Sequence, residues 1–393
     1  MIQEINRRQS TADHPNIRVL HVVNGQHYAG AARVQDLLAL RLPEFGYDIS
    51  FACLLPERFA EERESQDAPL FNFPMKHRMD FAPAREIAAL ARQNGYDILH
   101  SHTTRSAMIA AAAARAVGIP HVHHVHCQMN SEVGSRVKSF INTTIERLAG
   151  NRADRMIAVS GSIKRFLERN GFTQTEICTV PNGVPSAAKL RPRRDAGDPW
   201  TIGMVALLRE RKGLETLLRA FQTLRAEFNV RLRIVGPFES EPYRQHSLQL
   251  ADDLGVSDLV DWIPFTRDVN HEITQMDVLV LPSVLPEGMP MVLLEGMSAG
   301  VPIVGSNVDG ICDVIRHEQN GLMAESNCAE SLSQQLRRIL SGDISWDDLR
   351  TTCLQDYEQM FSDRAMAAGV ARVYDDVLGQ ISRKPVTTQE ILK

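Results

Sequence analysis

The sequence predicts an α/β protein with two parallel-sheet domains that face each other across a cleft. The chain has 393 residues, too many for one ordinary hydrophobic core. Short β-branched segments alternate with helical segments in two series, and the strand segments are apolar on both faces, as in parallel sheets covered by helices. A stretch rich in proline, glycine and charge, Pro185 to Trp200, separates the two series.

The first series begins after residue 16. Residues 1–16 have no apolar run, so we expect a flexible N-terminus that is neither a signal peptide nor a membrane anchor. Strand-like segments follow at IRVLHVV, YDISFACLL, YDILHSH and PHVHHVH, with helical segments at AARVQDLLALRL, REIAALARQ and RSAMIAAAAARAVG. These segments predict an N-terminal domain at residues 17–188 and a linker at 189–199.

The second series predicts a C-terminal domain at residues 200–362. It contains WTIGMVALL, VRLRIVG, DLVDWIPF, MDVLVLPS and VPIVGS, interleaved with helical segments such as LETLLRAFQTLRAEF and MVLLEGMSAG. A last helix at 363–383 is predicted to cross back to the N-terminal domain, and 384–393 to form a flexible tail. Ligands of open α/β sheets bind at the carboxyl ends of the strands, so we expect the site in the cleft.

Composition excludes several classes of protein. A net charge of −5 argues against nucleic acid as a partner. The six cysteines are scattered without a CxxC pair, which is typical of reduced thiols and predicts a cytoplasmic protein. No run of 18 apolar residues is present, so no transmembrane span is predicted.

The turn after the first predicted strand reads NGQHYAGAARV. It lacks the GxGxxG spacing of a dinucleotide site, and the chain has no GxxxxGK[ST] segment, so NAD-type and P-loop sites are both disfavoured. Gly30 opens a helix after a strand, where backbone amides can approach an anion closely. An ordinary tight turn explains this glycine equally well.

A basic cluster precedes the helix that is predicted to begin near Gly213. Arg209, Arg211 and Lys212 lie where cations oppose the helix dipole, an arrangement expected if the turn receives a polyanion such as a diphosphate. A solvated basic turn is the alternative.

The segment HVHHVH places four histidines on one predicted strand. Alternation puts His124 and His126 on one face and His121 and His123 on the other, so the four cannot hold one ion together, and a zinc site in this run is disfavoured. His126 ends the strand and is the one expected to reach substrate. Hydrogen-bonded core or surface positions explain the other three. No Asp-x-Asp pair is present, so no metal at the diphosphate is expected.

Two acids interrupt the apolar stretch PEGMPMVLLEGMSAGVPIV. A helix is predicted from about Pro290 to Ala299, with Glu287 in the loop before it and Glu295 inside it. Apolar neighbours predict that Glu295 is buried, so it needs hydrogen-bond donors, and the vicinal hydroxyls of a sugar or ribose suit a carboxylate. The alternative is an exposed Glu295 and a Glu287 that merely complements the helix dipole.

Taken in order, several motifs resemble one enzyme family. They are YAGAARV, DILHSHTTRSA, PHVHHVHC, IAVSGSIKRFL, VPNGV, LRERKGLETLLRAF, LRIVGP, MDVLVLPSVLPEGMPMVLLEGMSAGVPIVGSNVDGICDVI and NGLM. The chain resembles the family 4, or group 1, glycosyltransferases from about residue 17 to 380. The resemblance implies a GT-B architecture of two Rossmann-like domains. It also implies a retaining, metal-independent enzyme without cofactor that moves a sugar from a nucleoside diphosphate, UDP or GDP, to an acceptor.

The resemblance also implies roles for individual residues. Glu295 would bind the ribose hydroxyls, Glu287 the ring hydroxyls of the sugar, and Lys212, with Arg209 or Arg211, the diphosphate. Gly30 would approach the distal phosphate and His126 would lie beside the transferred sugar. Backbone amides facing the donor sugar would come from Gly288, Met289, Pro290 and Met291. The family's front-face chemistry needs no protein nucleophile.

This chain departs from the family pattern at three places. Leu207 stands where an arginine is frequent, and Ala32 where a glutamate is frequent. The residues after Glu287 read GMPM in place of the frequent GFGL, so the sugar preference does not transfer. Two alternatives stay open, a nucleotide-sugar epimerase or hydrolase and a non-catalytic nucleotide-sugar-binding subunit.

The acceptor side is the least defined by the sequence. The resemblance implies a glycan or lipid-linked acceptor in polysaccharide, envelope or lipopolysaccharide biosynthesis. The helix predicted at residues 131–150 carries an apolar stripe beside basic residues. It would either lie on the inner face of a membrane or, as the favoured reading, pack on the core with a solvated basic side.

Overall fold

The computed structural model describes residues 16–28, 30–77, 80–128, 147, 150–194 and 197–383. Of the predicted flexible termini, 1–16 and 384–393, all residues except 16 lie outside the described residues. So does nearly all of the helix predicted at 131–150, and with it the predicted contact with a membrane surface.

The first sheet has seven strands, all parallel, in the order β3-β2-β1-β4-β5-β6-β7. The strands are β1 Ile17–Val23, β2 Tyr47–Cys53, β3 Leu70–Asn72, β4 Ile98–Ser101, β5 His121–Val125, β6 Arg155–Ala158 and β7 Ile177–Thr179. The helices in this part of the chain are α1 Gly30–Arg41, α2 Arg58–Glu62, α3 Ala82–Asn94, α4 Thr104–Val117 and α5 Gly161–Arg169.

The second sheet has six parallel strands in the order β10-β9-β8-β11-β12-β13. They are β8 Trp200–Val205, β9 Val230–Val235, β10 Val260–Ile263, β11 Val278–Leu281, β12 Ile303–Ser306 and β13 Gly321–Ala324. The helices are α6 Leu214–Leu224, α7 Glu241–Asp253, α8 Val269–Thr274, α9 Met291–Ser298, α10 Ala329–Leu340, α11 Trp346–Asp356 and α12 Asp363–Arg383.

The predicted α/β class with two parallel sheets is confirmed. Strands β4, β5, β11 and β12 are buried at every position, as strands covered by helices on both faces must be. Strands β3, β6, β7 and β13 were not among the predicted strand segments. Each has only three or four residues, which is too short for a clear pattern. Helix α9 is one residue shorter at each end than predicted.

Helix α12 packs on the first sheet. Its Tyr374 is fully buried in a cluster that also contains Val19 of β1 and Tyr47 of β2. The Tyr47 hydroxyl donates to Asp375 Oδ1 at 2.5 Å, and Arg41 Nε donates to Asp363 Oδ2 at 2.8 Å. Helix α12 therefore joins the core of the first domain.

The two domains also share one hydrophobic cluster. Val125 and Ile163 of the first domain belong to the same cluster as Met289 and Ile311 of the second. Across this contact Asn182 Nδ2 donates to the carbonyl oxygen of Met289 at 3.2 Å. The carboxyl ends of β5 and β11 are thereby held next to each other.

Among the helices that the structure describes, none is both long and apolar enough to cross a bilayer.

Candidate functional site

Glu287 lies in the loop between β11 and α9 and is buried, at 8% exposure. Its Oε1 accepts hydrogen bonds from Lys212 Nζ at 2.6 Å and from the Ser283 hydroxyl at 2.7 Å. Arg211 contacts its Oε2 at 3.4 Å. The buried carboxylate is therefore balanced by two cations and held in one orientation by three donors.

The predicted basic cluster is thus already paired with acids. Burial lowers the pKa of Lys212, and the Glu287 carboxylate opposes this shift without cancelling it. Arg209 pairs with Glu239 at 3.6 Å, and its charge, with that of Arg211, also contributes to lowering the pKa of Lys212. The structure therefore joins Lys212 and Arg211 to Glu287, while Arg209 pairs with Glu239 and still acts on Lys212.

Glu295 is buried on α9 and forms an ion pair with Arg33, which lies on the first turn of α1 in the other domain. Burial disfavours the charged guanidinium, but the adjacent carboxylate raises the pKa of Arg33 overall. The ion pair therefore links the two domains directly across the cleft.

Sequence reasoning missed Arg33. The sequence did contain a signal for it. Arg33 follows Gly30 by three residues on a helix that begins at the cleft, so the two residues lie on the same face of that helix, one turn apart. Gly30 itself starts α1 with φ +34° and open space where a side chain would lie. The first turn of α1 thus presents a bare backbone and a cation to the second domain.

His126 and Gly288 bring the two domains into backbone contact. A Cβ placed on Gly288 would lie 1.7 Å from the carbonyl oxygen of His126, so only glycine fits there. Met289 is buried, and its Sδ accepts a hydrogen bond from the backbone N–H of Asn182 at 3.1 Å. Pro290 is the N-cap of α9, whose first residue, Met291, packs half-buried between the domains.

The histidines of β5 point to opposite faces, as alternation predicts. His121 Nε2 and His123 Nδ1 lie 2.8 Å and 3.0 Å from the Ser101 hydroxyl. On the other face His124 and His126 stack with ring centroids 4.5 Å apart. Burial lowers the pKa of His126 to about 3, with a smaller contribution from His123, so its ring is neutral at physiological pH.

A cavity of about 720 Å³ adjoins this site. It is lined by Arg211 and Gly213 before α6, by Tyr243 and His246 on α7, and by Val284 of the loop that carries Glu287. Its volume is in the range of small-molecule binding sites.

Two family models match the chain and meet at residue 187. The model described as glycosyl transferases group 1 matches residues 187–354, and the model described as Glycosyltransferase Family 4 matches residues 28–187. Together they cover residues 28–354, which include every strand of the two sheets except β1.

Named proteins and solved structures agree with these matches. The chain is 26% identical over 325 residues to an uncharacterized glycosyltransferase of Haemophilus influenzae, covering 81% of this chain and 89% of that protein. It is 24% identical over 347 residues to the UDP-Gal:alpha-D-GlcNAc-diphosphoundecaprenol alpha-1,3-galactosyltransferase of Escherichia coli, covering 83% and 88%. The structure of Anabaena HepE in complex with UDP superimposes with a TM-score of 0.81 at 17% identity, over 92% of this chain and 100% of that one.

Proposed function

The chain belongs to the group 1 glycosyltransferases, and on that premise we propose a retaining enzyme that moves a sugar from a nucleoside diphosphate to a glycan or lipid-linked acceptor. Membership makes the chain a GT-B sugar transferase of glycan biosynthesis. The donor, the stereochemistry, the acceptor and the role of each site residue are the proposal.

One observation carries the proposal. Two buried acids, Glu287 and Glu295, lie eight residues apart at the carboxyl edge of the second sheet, and each is paired with a cation at the cleft. Glu295 is paired across the cleft with Arg33, so a donor that enters can exchange one partner for its own hydroxyls. Buried charges kept in opposite-sign pairs are expected where a ligand carries both a polyanion and vicinal hydroxyls.

We assign the donor to these groups as follows. Glu295 accepts the two ribose hydroxyls once Arg33 is displaced, and Glu287 accepts ring hydroxyls of the transferred sugar. Lys212 and Arg211 meet the charge of the diphosphate, so no divalent ion is needed there. Support for UDP comes from HepE, whose structure contains it.

The first domain completes the site. The amides at the start of α1, where Gly30 has no side chain, face the distal phosphate, and His126 lies beside the sugar. On the second domain, the start of α9 directs its free amides to the donor. These amides belong to Gly288, Met289 and Met291, whereas Pro290 has no N–H and only shapes the turn.

The bond changes follow from these positions. The acceptor oxygen bonds to the anomeric carbon on the face that the diphosphate leaves, and the leaving phosphate oxygen takes the acceptor proton. Configuration is retained without a protein nucleophile. Lys212 stabilises the charge that develops on the leaving diphosphate, a contribution of about 2 to 4 kcal/mol for one well-placed donor in a desolvated site.

For the acceptor, the Escherichia coli relative is named for a diphosphoundecaprenol-linked sugar. We propose a lipid-linked or glycan acceptor of the same general kind, reached from the cytoplasmic side with peripheral contact at the membrane surface.

Incubation of the full chain with UDP-, GDP- and ADP-sugars tests the proposal. Nucleotide release is followed with and without undecaprenyl-diphosphate-linked and soluble glycan acceptors. We expect nucleotide release to depend on the acceptor and not to be stimulated by Mg²⁺ or Mn²⁺. We also expect NMR to show the same anomeric configuration in the product linkage as in the donor. An inverted product or a requirement for Mg²⁺ contradicts the proposed mechanism.

The same assay separates the alternatives. Release without any acceptor indicates an epimerase or hydrolase. Binding without release indicates a non-catalytic subunit. In that case the substitutions Leu207→Arg and Ala32→Glu, which restore the residues frequent in the family, are the next variants to assay.

A further inference from the structure

Five histidines from three neighbouring strands form one continuous cluster inside the first domain. His21 lies on β1 and pairs in register with His100 on β4, while His102 follows β4 by one residue. His124 lies on β5, and His126 is the residue that follows this strand. The rings of His21, His100, His102 and His124 are at most 2% exposed, and each ring stacks on or packs against at least one other.

Three of these rings each bring one nitrogen close to a nitrogen of the other two. His21 Nδ1 and His102 Nε2 are 3.3 Å apart, and His100 Nε2 is buried without a hydrogen-bond partner among the described residues. One ring nitrogen from each of the three lies within 4.8 Å of the other two.

The second nitrogen of each ring is held from outside. The Tyr374 hydroxyl on α12 lies 3.1 Å from His21 Nε2 and 2.5 Å from His100 Nδ1. His102 Nδ1 lies 3.0 Å from His126 Nε2. This is the arrangement of a histidine metal ligand, whose free nitrogen is held by a hydrogen-bond partner that sets the tautomer and the ring orientation.

The spacing fits a tetrahedral ion. With a zinc–nitrogen bond of about 2.1 Å, two ligands of a tetrahedron are about 3.4 Å apart, close to the 3.3 Å between His21 Nδ1 and His102 Nε2. A second triad, His102, His124 and His126, also lies within reach of one ion. However, His102 and His126 are 3.0 Å apart, a hydrogen-bond distance that is short for two ligands of one ion.

We propose that His21, His100 and His102 bind one divalent transition-metal ion, with Tyr374 and His126 as the outer partners that orient the three rings. A set of imidazoles without carboxylates suits Zn²⁺, Co²⁺ or Ni²⁺ and not Mg²⁺ or Mn²⁺. With three protein ligands, the fourth position goes to a water molecule. The ion is held within the first domain by residues other than those assigned to the donor diphosphate.

Occupancy of this site has a consequence for His126. When His102 Nε2 binds the ion, its proton is on Nδ1 and is donated to His126 Nε2. The proton of His126 is then on Nδ1, which is buried without a partner among the described residues. This consequence rests on the proposed function, because the metal would fix the tautomer of the ring assigned to the sugar.

The test uses the full chain after removal of bound metal with a chelator. It is titrated with Zn²⁺ by calorimetry and with Co²⁺ by visible absorption, and the Zn²⁺ complex is measured by X-ray absorption. Expected are one equivalent of metal, the intense visible bands of tetrahedral Co²⁺, and about three imidazole nitrogens around Zn²⁺.

Variants assign the ligands. His21→Gln and His100→Gln are each expected to weaken Zn²⁺ binding at least a hundredfold, and Tyr374→Phe about ten- to a hundredfold through the outer shell. His121→Gln and His123→Gln are the matched controls, because these histidines are equally buried but face the other side of β5. Both should keep the wild-type affinity. Circular dichroism of each variant checks folding.

Several outcomes overturn the proposal. They are the absence of stoichiometric Zn²⁺ binding by folded wild-type protein, equal loss in His121→Gln, or fewer than two imidazoles in the X-ray absorption spectrum. Loss in His124→Gln with none in His21→Gln moves the ion to the second triad and refutes the assigned ligands. If the variants do not fold, the ligand count of the wild-type complex decides. None of these readouts uses transfer activity, so they stand apart from a failure of the proposed function.

Discussion

Acid should destabilise the first domain through His121 and His123, the pair that faces Ser101. Burial lowers the pKa of His121 to about 3, with a smaller contribution from His123, and it lowers the pKa of His123 to about 4, against an opposing effect of Ser101. In the unfolded chain both return to about 6.5. The unfolded state therefore binds more protons between about pH 4 and pH 6.5.

The sign and the size follow from these values. The stability contributed by the two neutral rings is complete above about pH 6.5 and is lost as the pH falls towards the folded-state pKa. Between about pH 7.5 and pH 5.5 each unfolded imidazole gains about 1.4 kcal/mol from protonation, and the folded rings gain almost nothing. The pair thus accounts for a loss of about 3 kcal/mol, a large fraction of a typical unfolding free energy of about 5 to 15 kcal/mol.

The assay is urea unfolding of chelator-treated protein followed by far-UV circular dichroism at about pH 7.5, 6.5 and 5.5. The comparison is the double variant His121→Gln/His123→Gln, which lacks both titrating rings. The three tryptophans, Trp200, Trp262 and Trp346, all lie in the second domain, so their fluorescence reports that domain separately. Wild type should lose about 3 kcal/mol more than the double variant over this range. Equal losses would refute the reasoning, whatever the absolute stabilities.

Three further predictions concern the cleft. Lys212→Ala and Glu287→Gln should each lower turnover roughly a hundredfold or more without unfolding the chain, and near-wild-type kinetics in both would remove them from the site. Arg33→Met should tighten UDP binding about three- to tenfold in calorimetry, because the Glu295 carboxylate no longer has to give up an ion pair before it binds the ribose. Weaker binding would mean that Arg33 contacts the donor. Gly288→Ala should lower both turnover and unfolding temperature, since its Cβ meets a backbone carbonyl of the first domain, and a fully active variant would contradict that contact.

Much of the fold was predictable because the hydrophobic pattern is local. Short apolar runs such as that of β11 fit strands covered on both faces, and alternating strand and helix segments build parallel sheets. The same pattern placed Glu287 in a loop and Glu295 on α9. Edge strand β3 was missed because only three residues form it.

Motif order also identified the family, since each motif has its own place between two predicted elements. Motifs report single segments, however, and say nothing about which charged groups meet. Lys212 and Glu287 were assigned to two parts of one donor, whereas in the structure they contact each other at 2.6 Å.

By itself the sequence determined the two-sheet architecture, the family and the positions of the acids at the carboxyl edge of the second sheet, because these depend on residues close together in the chain. Only the tertiary structure decided that Arg33 pairs with Glu295, 262 residues away, and that His21, His100 and His102 converge beneath Tyr374 from α12. Such contacts depend on which strands lie side by side in the sheet and on the packing of helix α12 against the first domain. The spacing of residues along the chain determines neither the strand order nor this packing.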